Sequence, residues 1–343
     1  MKPAMSARAI QRHWFLACLV GALAAAMTWS DGLAPLLRWT TLRHGLVFTV
    51  MFLAGWTLPL AAVRRAIGRP AASLWAIAIN TLLVPVIAMG VGWSLAPDWL
   101  SGLMVAAWMP CTLASAAVWT RRAGGDDSIA LITTVVTNAM CVVVTPLGLA
   151  ASGWFLWTVS ARHPIGAAIV GSGGTDSAPG FEATIDPMDQ FTKLLLLVLL
   201  PLTLSQLCRV GLFGRFSTSS WADRHKSSVS SLAQIGILCM VFLGGIASGQ
   251  LINRTGIFDV ARVVLTASSI HGIALIIGVL VAIKTGCRRE SQIAVGFAGS
   301  QKTLMVGLQI AMDAGVSVIP MIAYHISQLM IDTIVADRWL QKK

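Results

Sequence analysis

Apolar residues recur along the chain in runs long enough to cross a bilayer, which takes about 20 helical residues for a hydrocarbon core about 30 Å thick. The runs fall at 14–29, 45–63, 72–95, 101–120 and 128–158, and again at 189–213, 229–251, 259–284, 291–312 and 316–336. Residues 159–187 between the two groups have the Gly/Ser/Pro composition of a loop and no periodic apolar face. The pattern predicts an all-α membrane protein of ten transmembrane helices. Its parts are a first five-helix repeat over 1–158, an external linker over 159–187 and a second five-helix repeat over 188–343, all within a single integral membrane domain. The first run follows Lys2, Arg8 and Arg12, as a signal peptide would. The cleavage-like stretch from Ala22 to Ala26 lies inside the apolar segment, which favours an uncleaved span.

An odd number of spans per half sets the halves in opposite orientation, the logic of inverted-repeat transporters. Span four then pairs with span nine, and both are interrupted. Span four contains Trp108-Met-Pro-Cys-Thr-Leu-Ala-Ser115, and span nine contains Gly296, Gly299 and Gly307. Pro110, Gly296 and Gly299 are the expected helix breaks, and broken helices at matching positions point to a binding site at the midplane.

Composition agrees: hydrophobic residues make up 56% and charged residues 11% of 343, with a mean hydropathy of +0.77. The formal charge of +11 would suit a nucleic-acid binder, but its distribution follows membrane topology. Of 25 Lys and Arg, eighteen fall on alternate loops counted from the N-terminus, and only Arg38, Arg43, Arg162, Arg254 and Arg262 on the others. The positive-inside rule places both termini in the cytoplasm. The six cysteines are scattered without a CxxC pair and read as reduced apolar side chains.

Lys302 stands out. Its nearest charged neighbours in sequence, Glu290 and Asp313, lie roughly 18 and 17 Å away along a helix, so it sits near the midplane, where ionisable groups are costly and usually functional. Polar side chains gather at the same depth: Asn80 in span three, Thr112, Ser115 and Thr120 in span four, Thr133, Thr134, Thr137 and Asn138 in span five, His271 in span eight, and Ser300 and Gln301 in span nine. For each hydroxyl, a bond to its own or a neighbouring backbone is the competing structural role, and for His271 it is helix packing. Asp332, the nearest carboxylate within a span, is expected near the cytoplasmic end of span ten. Lys302 then meets an anionic substrate, gives up its proton, or replaces a bound metal cation. No HExxH, G-x-S-x-G, P-loop or midspan carboxylate pair is present, so an enzyme is not expected.

Three stretches carry a family resemblance: Pro110-Cys-Thr-Leu-Ala-Ser115 running on to Gly124-Gly-Asp-Asp127, Gly299-Ser-Gln-Lys-Thr-Leu304, and Tyr324-His-Ile-Ser-Gln328. Together they resemble the bile acid:sodium symporter superfamily, specifically its SBF-like branch. The resemblance implies sodium ligands at Ser115, Thr134, Asn80, and Ser300 or Gln301; the polar groups at membrane depth make Lys302, Thr112, Gln301 and His271 the candidate substrate contacts. Ala116 replaces the family's asparagine, and the glutamate shared by its two sodium sites falls at Gly296, so Lys302 would supply the missing positive charge itself. Pro110-Cys-Thr112 also resembles the span-four motif of arsenite efflux permeases, which would use Cys111.

The chain is therefore expected to move a small or amphipathic organic anion across the inner (cytoplasmic) membrane by alternating access. No cofactor is expected, with Na+ or H+ as the candidate coupling ion. The bilayer and the anion are the expected partners; no nucleic acid and no obligatory protein partner is. A non-transporting membrane regulator or scaffold is the alternative of another class.

Overall fold

The structure is a computed structural model and describes residues 4–58, 70–113, 115–162, 186–210, 224–253 and 256–341. Helix is the only regular structure among them. The elements are α1 (Ala4–Thr28), α2 (Thr40–Trp56), α3 (Pro70–Gly92), α4a (Pro97–Trp108), α4b (Ser115–Arg122) and α5 (Asp127–Arg162). After them come α6 (Pro187–Leu194 continuing through Leu200–Val210), α7 (Lys226–Asn253), α8 (Ile257–Lys284), α9a (Arg289–Ser300), α9b (Met305–Asp313) and α10 (Ile319–Gln341). Most of the linker expected at 159–187 lies outside the described residues, as do residues 254 and 255.

Six of these helices, α3, α5, α6, α7, α8 and α10, are long and apolar enough to cross a membrane on their own. The half-helices are not. α4a and α4b have 12 and 8 residues, α9a and α9b 12 and 9, about 12–18 Å each at 1.5 Å per residue, so only two halves in series reach bilayer thickness. Large apolar side chains such as Leu82, Val86, Leu147, Leu265 and Ile276 stay exposed on the outer faces, whereas polar groups such as Asn80, His271 and Gln301 are fully buried. That inversion of the usual soluble pattern suits a surrounding of lipid.

Packing divides the helices into two groups. α1, α2, α6 and α7 lie against one another, and α3, α4, α5, α8, α9 and α10 form the second group, with α9a wedged among α3, α5 and α8. The two groups meet where α6 packs along α5 and where α2 and α7 meet α9b. Local chemistry sets the ends: Asp186 caps α6 by accepting from the Met188 N–H at 2.9 Å, with Pro187 at the first helical position, and Gly315, at φ +65°, turns the chain out of α9b.

The interruption in span nine differs from expectation. Gly296 and Gly299 lie inside the continuous helix α9a, and the chain leaves helical geometry after Ser300, over Gln301–Leu304. These two glycines serve close packing instead. A Cβ on Gly296 would stand 2.7 Å from Val279, and one on Gly299 3.0 Å from Ile79, so their absence lets α9a approach α8 and α3. Pro110 lies in the interruption of span four, as expected.

Candidate functional site

The two interruptions meet in the centre of the second helix group. The Thr303 N–H donates to the Pro110 carbonyl at 2.9 Å, joining one break to the other. Unwound backbone at this depth must be satisfied by neighbouring groups, and α5 supplies most of them. Thr145 donates to Trp108 O (2.8 Å), Asn138 to Cys111 O (2.9 Å) and Thr134 to Thr112 O (3.0 Å), while Thr137 Oγ1 accepts from the Cys111 N–H (3.1 Å). The polar ladder of span five thus braces the broken backbone of span four. Thr133 donates to Ile129 O within its own helix.

Lys302 belongs to the break and not to a helix. Its side chain is 1% exposed, and its ammonium is enclosed by oxygens from two other spans: Asn80 O at 2.5 Å, Met109 O at 2.8 Å and Asn80 Oδ1 at 3.4 Å. Both carbonyls come from distorted backbone. Asn80 sits in a π-helical turn, Ile79–Leu83, within α3, where a widened turn frees main-chain oxygens. Met109 follows the last residue of α4a, at the negative end of the helix dipole. Main-chain oxygens and a half-helix C-terminus are the ligands that broken transporter helices offer to cations. The lysine backbone is held as well, its N–H donating to Gln328 Oε1 (2.9 Å) and its carbonyl accepting from Gln328 Nε2 (3.1 Å).

Gln301, the preceding residue, faces two ways. Its Oε1 accepts from Thr112 (2.7 Å) and Ser115 (2.8 Å), whose hydroxyls lie 2.7 Å apart, and its Nε2 donates to Asp332 Oδ2 at 2.5 Å. The other Asp332 oxygen meets His271 Nε2 at 2.8 Å, and His271 Nδ1 meets Ser300 O at 3.2 Å, a carbonyl that also accepts from Tyr324 OH at 2.9 Å. Both ring nitrogens of His271 therefore face oxygens, one of a carboxylate and one of a carbonyl.

Asp332 was expected near the end of span ten. It is instead fully buried at the crossing, because α10 runs on to Gln341 and makes residue 332 central to its helix. The polar end of α10 that lengthens it is held by an ion pair of Asp337 with Arg122 and by Trp339 edge-on to Phe297. Gln328, within the Tyr324–Gln328 motif, is a further site residue that its polarity alone does not single out.

Each group expected to bind sodium makes a hydrogen bond within the protein. Ser115 and Gln301 bond each other, Asn80 Oδ1 faces the Lys302 ammonium, Thr134 donates to Thr112 O, and Ser300 Oγ donates to Gly296 O at 2.8 Å within its own helix. None of the five carries a carboxylate. Among the described residues no three His, Cys, Asp or Glu side chains converge as a metal site.

Beside the crossing, between the two helix groups, lies a cavity of about 370 Å³, within the usual range of a small-molecule pocket. Thr112, Ser115, Thr303 and His325 line it from the crossing, Gln234 and Ser230 from α7, and Trp14, Phe15, Trp119, Leu329 and Arg122 complete its amphipathic wall. Of the expected substrate contacts only Thr112 reaches this lining. Lys302, Gln301 and His271 lie behind it and reach it through Thr112, Ser115 and the backbone of the break.

The profile of the SBF-like CPA transporter family matches residues 13–341. The chain is 23% identical over 313 residues to the Escherichia coli protein named "Putative symporter YfeH", covering 88% of this chain and 83% of that one. It is 26% identical over 263 residues to the Arabidopsis thaliana "Probable sodium/metabolite cotransporter BASS4, chloroplastic", covering 71% and 53%. With the Danio rerio "Sodium/bile acid cotransporter 7" it shares 23% over 249 residues, covering 69% and 64%. The chain belongs to the SBF-like CPA transporter family.

Proposed function

We propose that this member of the SBF-like CPA transporter family is a secondary transporter in which the Lys302 ammonium takes the place of a coupling cation at the helix crossing. The observation that carries this reading is the convergence of Asn80 O, Met109 O and Asn80 Oδ1 on Lys302 Nζ, where the expected sodium ligands are otherwise bonded to protein. A tethered cation holds the broken helices together without sodium and without the shared glutamate, so flux is independent of Na+. Asp332, linked through Gln301 and His271, places a carboxylate in the same buried network and offsets the charge of the lysine.

In this reading α1 to α10 are ten spans, arranged as two inverted five-helix repeats, in the inner membrane with both termini cytoplasmic. The cargo is a small or amphipathic organic anion. Its apolar part suits Trp14, Phe15, Trp119 and Leu329, and its charge suits the Thr112, Ser115 and Thr303 hydroxyls together with the N-termini of α4b and α9b at the crossing. The arsenite reading has less support: Cys111 is fully buried, is absent from the cavity wall and lies 3.6 Å from the Thr134 hydroxyl.

Purified protein in liposomes, screened with organic anions, tests the reading. Saturable flux and a ligand-dependent rise in melting temperature are expected, the latter reflecting about 2.7 kcal/mol of stabilisation at 100-fold excess over Kd. A membrane scaffold would give neither.

A further inference from the structure

The two ends of α2 are in opposite situations. Towards its C-terminal end, Val50, Met51, Ala54 and Thr57 border the cavity. Towards its N-terminal end, α2 is tied by charge to α9b. Asp313, the last residue of α9b, meets Arg43 Nη2 at 3.0 Å, Lys193 Nζ of α6 at 3.3 Å and its own helix's Gln309 Nε2 at 2.8 Å. His44 Nε2 stands 3.6 Å from it, and Lys193 also holds Asp189 at 2.7 Å. Arg43 and Asp313 side chains are each 8% exposed. From Arg43 to Thr57 is about 21 Å along the helix. One helix is therefore bonded to the second helix group at one end and separated from it by open volume at the other.

The cluster is not bonded like a permanent core. Arg43 Nε and Gln309 Oε1 are buried without a hydrogen-bond partner, whereas buried polar groups in fixed structure are nearly all paired. Such atoms are tolerable at a junction that opens to water during part of a cycle. At the crossing α5, Lys302 and Asp332 pair the broken backbone and leave Asn138 Oδ1 as the one such atom among the residues named there.

We infer that Asp313 with Arg43 and Lys193 forms the gate at the end of the molecule opposite the cavity, shut in this conformation and broken when the cavity closes. The inference rests on reading the chain as an alternating-access transporter. When the gate opens, Arg43 and Lys193 lose the Asp313 carboxylate and face the new entrance, where an anionic cargo replaces it as their partner. The gate thereby selects the sign of the charge that enters.

Hydrogen–deuterium exchange on the full chain in nanodiscs, wild type against Asp313→Asn, tests it. Loss of the gate shifts the population towards the cavity-closed state. Exchange is expected to rise about tenfold, the change an equilibrium shows for about 1.4 kcal/mol, in segments 37–45 and 309–316. It falls in the cavity-lining segments 115–122 and 230–237. Faster exchange at both ends together means mere destabilisation and overturns the gate, as does no change at either end. Should Asp313→Asn not fold, Lys193→Gln, on a more exposed partner, gives the same reciprocal pattern if the gate is real. The readout needs no substrate: reciprocal exchange without any flux would keep the gate and overturn the transport reading alone.

Discussion

Replacing Lys302 by alanine removes an ammonium and its stem from a site that is 1% exposed. Two short bonds, to Asn80 O and Met109 O, and one longer contact to Asn80 Oδ1 are lost. Hydrogen bonds to a charged group contribute about 1.5–3 kcal/mol each, and part of that is offset because the desolvated ammonium disappears with them. Removing one partner of a buried charged network costs about 3–5 kcal/mol, enough to lower the melting temperature by several degrees. The vacated space, however, keeps its ring of oxygens. Sodium can enter it, and at 100-fold excess over its Kd a ligand restores about 2.7 kcal/mol. Thermal unfolding of purified protein in NaCl, LiCl and choline chloride at equal ionic strength should give one melting temperature for the wild type. Lys302→Ala should melt lower in choline and recover in part in Na+. Lys302→Met, which fills the volume with apolar atoms, should melt lower and show no recovery. A wild type that Na+ stabilises by a similar amount, or an alanine variant indifferent to Na+, would refute the tethered-cation reasoning.

Asp332→Asn keeps the shape of the side chain but removes the charge that Gln301 and His271 share. Flux should fall at least about tenfold, the consequence of roughly 1.4 kcal/mol lost at the crossing, while circular dichroism stays helical; wild-type flux would remove Asp332 from the machinery. Gly102→Ala would bring a Cβ to 2.1 Å from the Ser317 carbonyl, a backbone atom that cannot swing away, so a loss of about 1–3 kcal/mol is expected in thermal unfolding. Gly307→Ala points at the flexible end of Met321 and should cost less; the reverse order would contradict the packing between α4a and the turn before α10. Ser152→Ala orphans the Trp108 indole N–H, now bonded at 2.9 Å, and should destabilise by about 1–3 kcal/mol.

Much of this site is written in the chain as polar residues at membrane depth. Asn80, Thr112, Ser115, His271, Ser300, Gln301 and Lys302 are identifiable because an apolar solvent makes any polar group there conspicuous, and all seven converge on the crossing. Their pairing is not legible, because it depends on where the backbone breaks. The π-helical turn that frees the Asn80 carbonyl is marked only indirectly, by Pro85 just beyond it, and the glycines that suggested a break in span nine serve close packing against α8 and α3. Asp332 was misjudged because hydropathy ends the last span where charged residues resume, near 336. The helix continues to Gln341 since Asp337 and Trp339 find partners on α4b and α9a, and that extension moves the carboxylate from a helix end to the centre. Thr134, Thr137 and Asn138 show the converse: conspicuous polar residues whose bonds go to the broken backbone of span four.

The most direct test of the tethered cation is the initial rate of anion flux by wild-type protein in liposomes, with Na+ or choline as the sole external cation and the membrane potential clamped. Lys302 in the cation's place predicts equal, saturable rates in the two salts. A rate that appears only with Na+, and that survives in Lys302→Ala, would contradict it.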